Sequence, residues 1–236
     1  MSSHHSECLA LFGNRFAPIT QAIGFVEAPI ASVIDADRVW RRGIGKYPIR
    51  PLVGGLADAL SSLLPLTGPQ SRYIWVATTN GSWTAYFDNS RNGSDPWSPI
   101  RYLARTMRCR GIAILWAPQT RKSYGGTRFD LYSQRPADAP NIRTVSAIND
   151  GGRWVWTAIG QAQPFEETDA YLAKRVRDRL SPEMLDRYCQ ALGIRPFDLR
   201  YYNGQGLLVT NGNLQVKPLE ESIAEAHARM DIQVQA

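Results

Sequence analysis

The dipeptide Asn80-Gly81 stands between two runs rich in aromatic and β-branched residues, Arg72 to Thr78 and Ser82 to Asp88. Asn-Gly reaches positive φ at low cost, and a tight hairpin turn demands positive φ, so this stretch is committed to an antiparallel hairpin. Similar strand candidates follow at Ile112 to Trp116, Thr127 to Ser133, Ile142 to Ile148 and Arg153 to Ile159. Asp150-Gly151-Gly152 turns between the last two. Ala22 to Val26 and Leu207 to Thr210 are shorter candidates.

Helical spacing separates these runs. Pro29 opens a helix carrying Ile30, Val33 and Ile34 that ends near Gly43, with Arg38, Arg41 and Arg42 in its last turns, where cations suit the helix dipole. After a Gly/Pro-containing connector (residues 43 to 55), Leu56, Leu60, Leu63 and Leu64 predict a second helix, stopped by Pro65. Asp95-Pro96 or Ser98-Pro99 starts a third, with Ile100, Leu103, Ala104 and Met107 on one face and Gly111 as its terminator. Leu172, Val176 and Leu180, four apart, predict a helix over 168 to 180. Ser181-Pro182-Glu183 starts another that runs to Gly193, and a last helix is expected from about Leu219 to Met230.

Hairpins dominate, and the one strand–helix–strand unit is Ser82 to Trp116. That pattern predicts an α+β fold: a single domain, residues 19 to 236, with a mainly antiparallel sheet packed by about five α-helices. Seven Trp and ten Tyr supply a sizeable core. Residues 1 to 18 read as disordered. Met1 to Glu7 lacks a basic cluster followed by an apolar stretch, so no secretory signal is expected. No apolar run approaches the roughly 18–20 residues of a membrane-spanning helix. Cys8, Cys109 and Cys189 form no CxxC pair. A reducing, cytoplasmic setting is therefore expected, in which Asn80 and Asn92 mark turns and not glycosylation sites.

Charge is uneven. Residues 38 to 128 hold fourteen basic and three acidic side chains, a balance of +11 in a chain of net charge +6. Such a block predicts an electrostatically polarised surface.

Few chemical constellations survive. His4 and His5 lie in the expected disordered segment and His227 in the last helix, where it reads as a surface residue. No nucleophile-elbow motif accompanies any serine, so catalysis through His is not expected, and no His- or Cys-type metal site or cofactor motif is seen. Ser123 to Thr127 and Tyr202 to Gly206 read as hairpin turns, not phosphate loops. Asp88-x-Ser90-x-Asn92-Gly93 copies the first half of a calcium loop, but Pro99 stands where the bidentate Glu belongs, and an Asx-type turn is the better reading. Glu166-Glu167 reads as a favourable charge placement before a helix.

Surface recognition remains. Trp97, in a polar loop beside Pro96 and Pro99, with Arg91, Arg101, Arg105 and Arg108, is the candidate binding set. Tyr86, Asp88 and Asp95 are candidates for lining a cleft at the hairpin's end. The expected function is that of a non-catalytic interaction protein, such as a bacterial immunity or antitoxin-like protein, that binds an acidic protein partner through this basic, aromatic-containing surface. The alternatives are a single-strand RNA- or DNA-binding protein and an enzyme of unfamiliar type acting on an anionic substrate.

Overall fold

A computed structural model describes residues 9–133 and 142–235. The fold is α+β, with five α-helices and a mostly antiparallel sheet of nine strands. In chain order the elements are β1 (Ala22–Val26), α1 (Ile30–Arg42), β2 (Ile49–Leu52), α2 (Leu56–Ser61), β3 (Leu66–Gly68), β4 (Arg72–Thr78), β5 (Thr84–Asp88) and α3 (Trp97–Met107). Then come β6 (Gly111–Ala117), β7 (Gly126–Tyr132), β8 (Ile142–Asp150), β9 (Arg153–Ile159), α4 (Pro182–Ala191), β10 (Tyr202–Thr210), β11 (Leu219–Glu221) and α5 (Ile223–Met230).

The large sheet runs β2-β10-β4-β5-β1-β6-β7-β8-β9, while β3 and β11 form a separate pair. The β4–β5 hairpin turns at Asn80-Gly81, with Gly81 at φ 66°. Strands β6 to β9 form a meander of three hairpins. β1 lies between β5 and β6 and is antiparallel to both, so the β5–α3–β6 unit is a crossover that spans one intervening strand. All five residues of β1 are buried because both faces of the sheet are covered there.

Side chains alternate across the sheet and divide the core in two. On one face α2, α4 and the segment before β1 pack Leu60, Leu185, Tyr188, Leu11 and Phe16 against Phe25, Phe87, Ile112 and Phe129. On the other, α1 and α3 pack Val33, Ile34, Ile100 and Leu103 against Tyr73, Trp75, Tyr86 and Ala113.

Helix α3 lies close to the sheet because two glycines face it. A Cβ on Gly24 of β1 would stand 2.5 Å from Ile100 Cγ1 and 2.7 Å from Pro96 Cβ; on Gly111 of β6 it would stand 2.8 Å from Ala104 Cβ. Gly24→Ala is therefore expected to overpack this interface and cost about 1–3 kcal/mol. Denaturant unfolding measures the loss, and a variant as stable as the parent would mean that α3 is not seated on Gly24.

Several sequence expectations change. Of residues 1 to 18, expected to be disordered, the first eight lie outside the described residues, but from Leu9 onward the chain is packed, with Leu11 and Phe16 buried. His227 is half-buried rather than on the surface, and its Nε2 lies 2.8 Å from the Ala17 carbonyl oxygen. The connector over 43 to 55 contains β2, a short edge strand whose Pro51 suits the sheet margin. The helix expected over 168 to 180 is two 3-10 turns, Thr168–Leu172 and Val176–Asp178. Tyr202 to Gly206 is not a hairpin turn but the irregular start of β10, where the register against β4 shifts. The last helix begins at Ile223, after β11. α3 ends at Met107 because Arg108 takes the left-handed conformation (φ 55°), and Gly111 instead begins β6.

Candidate functional site

The eight residues singled out in sequence do not share one surface. Tyr86 and Asp88 are buried on β5, so neither lines an open cleft at the hairpin's end. Asp88 Oδ1 accepts from the Ser90 N–H (2.9 Å), and Oδ2 accepts from the Asp95 N–H (2.8 Å) and the Tyr86 hydroxyl (3.2 Å). Burial pushes this carboxyl up to about 6, against the opposing pull of its donors. The calcium-like pattern is thus an Asx-type turn whose Asp88 oxygens serve the backbone, and of Tyr86, Asp88 and Asp95 it is Asp95 that is exposed.

Arg91 is removed from the set by an ion pair. Its Nε stands 3.1 Å from Glu221 Oε2, and Glu221 also binds Arg229 Nε at 2.8 Å. Trp97 is the first residue of α3 and is half-buried, not a free loop side chain. Its Nε1 donates to Asp130 Oδ2 at 2.8 Å, and the Arg128 guanidinium lies 4.9 Å from its ring. Arg110 is paired with Glu27, Arg121 with Asp231, and Arg72 donates to the Leu64 carbonyl at 2.6 Å. Much of the basic block is therefore neutralised by acids of the flanking segments.

A smaller group remains. Arg101 and Arg105 are exposed along α3 at a spacing of four, which places them on one face, and Arg108 is exposed at the helix's left-handed end. Arg38 and Arg42 are exposed on α1 at a spacing of four. The two helices meet through Trp40 and Tyr102, whose rings stack at 4.3 Å and 19°. Among the described residues, no carboxylate lies within ion-pair distance of Arg42, Arg101, Arg105 or Arg108, and Arg38 has only the exposed Asp35 at 3.5 Å. Sequence reasoning missed Arg38, Arg42 and Trp40 as members of this site. The signal available was their shared helical face, but what joins them to α3 is a stack between residues 62 positions apart.

Beneath this layer lies a buried polar cluster. Asp37 on α1 is buried, and its Oδ2 accepts from the Tyr73 hydroxyl at 2.7 Å. Burial raises the Asp37 carboxyl above its ordinary range, opposed by Tyr73 and by Arg41, whose Nε is 3.5 Å from Oδ1. The Tyr73 phenol is pushed far up by burial and by Asp37, so it stays protonated. The layer thus offers cations and hydrogen-bond donors, the chemistry of anion binding rather than of nucleophilic attack.

Across the sheet a second buried cluster is saturated. Glu166 does not merely favour a helix start: it is sealed from solvent beside Arg143, which donates to it through Nε at 2.8 Å. Glu166 also accepts from the Gln163 N–H and the Tyr171 hydroxyl, while Arg143 Nη1 caps the Gly160 carbonyl at 2.8 Å. These bonds close the end of β9 against β8 and leave nothing facing solvent.

Among the described residues, no helix is long and apolar enough to cross a membrane. No protein-family model, curated protein or solved structure matches the chain.

Proposed function

We propose that this chain is a non-catalytic binding protein whose α1–α3 layer takes the acidic face of a protein partner. The observation that carries the reading is the set Arg42, Arg101, Arg105 and Arg108, exposed together on one layer without a carboxylate in reach. Arg91, Arg110, Arg121 and Arg128 of the basic block are paired with acids of the flanking segments, whereas these four arginines are not. Arg beside large aromatics is also the composition of interface hot spots.

Ring geometry favours a protein over a single-stranded nucleic acid. Stacking of bases needs free aromatic faces. Trp40 has Tyr102 stacked at 4.3 Å and the Arg41 guanidinium at 3.9 Å, and two groups this close to one ring centre occupy its opposite faces. Trp97 is likewise covered by Arg128.

The reading is tested by capture from an extract of the protein's own cells with the parent chain and with R101E/R105E/R108E, at low and at raised salt. The expected result is a protein retained by the parent, released by salt, and bound at least about a hundredfold more weakly by the variant. Equal retention by both chains would contradict it, as would tight, salt-sensitive binding of single-stranded RNA with no protein captured.

A further inference from the structure

The second half of α1, the turn after it and β2 border a half-open cavity of about 160 Å³, lined by Asp37, Arg38, Arg41, Arg42, Tyr47 and Ile49. Arg41 is held there in an unusual way. Its guanidinium lies 3.9 Å from the Trp40 ring, 4.8 Å from Tyr47 and 5.2 Å from Tyr73. Aromatic rings therefore surround the guanidinium, a setting that arginine suits better than lysine. Its Nε edge faces Asp37 Oδ1 at 3.5 Å, too far and too poorly aligned for a hydrogen bond. Asp37 Oδ1, Arg41 Nε and the nearby Trp75 Nε1 are all sealed from solvent without a hydrogen-bonding partner. Asp37 and Arg41 both line the cavity, and their facing atoms stop short of a full hydrogen bond.

Resting on the acidic-partner reading, we propose that this cavity is the receptor for one side-chain carboxylate of the partner, gripped by Arg41. The fork of a guanidinium matches the two oxygens of a carboxylate, and Arg41 lines the cavity with its charge met only by Asp37 at 3.5 Å. Arg38 and Arg42 at the rim add positive field. Depth selects the kind of oxyanion. The Arg41 side chain is only 16% exposed, so a group reaches it only at the end of a flexible chain. An Asp or Glu carboxylate is such an end group, whereas a phosphodiester carries a sugar on either side and is held off at the rim.

Trp75 gives the readout. Its indole N–H is buried beside Asp37, a residue that lines the cavity, so its NMR resonance reports on a ligand there. The experiment titrates the full chain with a glutamate-rich peptide and, separately, with a single-stranded RNA of equal charge. The expected result is a saturable shift of the Trp75 indole signal with the peptide and none with the RNA. R41K keeps the charge but loses the fork and the stacking. With its fold checked by thermal unfolding, it is expected to weaken that saturation by about tenfold. R101E/R105E/R108E is expected to weaken overall binding while Trp75 still shifts at saturation.

If the peptide moves the amides of Arg101 to Arg108 while Trp75 stays still, the cavity proposal is overturned and the acidic-partner reading stands. If RNA moves Trp75, or a folded R41K saturates like the parent, the proposal is likewise overturned. No shift anywhere with the acidic peptide overturns both.

Discussion

Glu166→Ala is expected to lower stability by about 3–5 kcal/mol, the cost of leaving a buried charge without its partner. Arg143 is 4% exposed and Glu166 is fully sealed, so Arg143 would lose its counter-charge where water does not reach. Tyr171 and the Gln163 N–H would lose their acceptor in the same step. The effect belongs to the broken pair and not to the net worth of the pair, and this makes it testable twice. Arg143→Met with Glu166→Leu replaces both charges by apolar bulk and is expected to cost less than Glu166→Ala alone, even though the caps on Ile159 and Gly160 are lost. Equilibrium unfolding in denaturant decides. A single substitution that proves harmless, or a double one that proves worse, would show that these groups are hydrated in solution.

Asp88 yields the second large effect, and it depends on pH. Its folded carboxyl is raised from 3.8 to about 6. The folded state therefore binds the proton more tightly than the unfolded chain, so the stabilisation is fully present below 3.8 and is lost as pH rises through about 6. A shift of this size corresponds to a change on the order of 3 kcal/mol. The other carboxylates are common to the parent and Asp88→Asn, and they cancel in the comparison. The parent's stability minus that of Asp88→Asn should accordingly fall by this amount between about pH 3.5 and about pH 7, and then level off. A difference that is flat across the window, or that rises with pH, would mean that Asp88 is not held as a buried carboxylate.

Local features were legible in the sequence wherever local physics sets them. Asn80-Gly81 read as a hairpin turn and makes one, and Ser181 caps α4 by accepting from the Met184 N–H at 3.2 Å. The apolar faces of α1 and α3 are the faces that pack. The segment over 168 to 180 misled because a spacing of four is necessary for a buried helical stripe without being sufficient. Leu172 is 84% exposed, so only Val176 and Leu180 of the three turn toward the core. There Arg179 donates to the Ala173 carbonyl, and Tyr171 packs on Trp156, so the segment is tied down in turns. Strand order was hidden for a different reason. The place of β1 between β5 and β6, and of β10 beside β4, depends on pairings that span many tens of residues.

The same distinction divides the candidate site. Arg101 and Arg105 were readable as a group because one helix carries them, and Arg108 follows at its end. Arg91 was misplaced because its partner Glu221 lies 130 residues away. Arg38 and Arg42 joined only through the stack of Trp40 on Tyr102, and the Arg41 cavity only through the packing of α1 over Tyr73. Charge counted along a chain gives the total, whereas which charges stay uncompensated is decided by tertiary ion pairs.

That uncompensated layer is the core of the account, and one comparison tests it most directly. The affinity of the captured partner would be measured for the parent, for R101E/R105E/R108E, and for K174E/R175E/R200E, which makes the same change in net charge at exposed positions whose neighbours Tyr171, Val176 and Tyr201 pack in the other core. A loss confined to the α3 variant is the predicted result. Equal losses in both variants would show that overall charge, and not the α1–α3 layer, holds the partner.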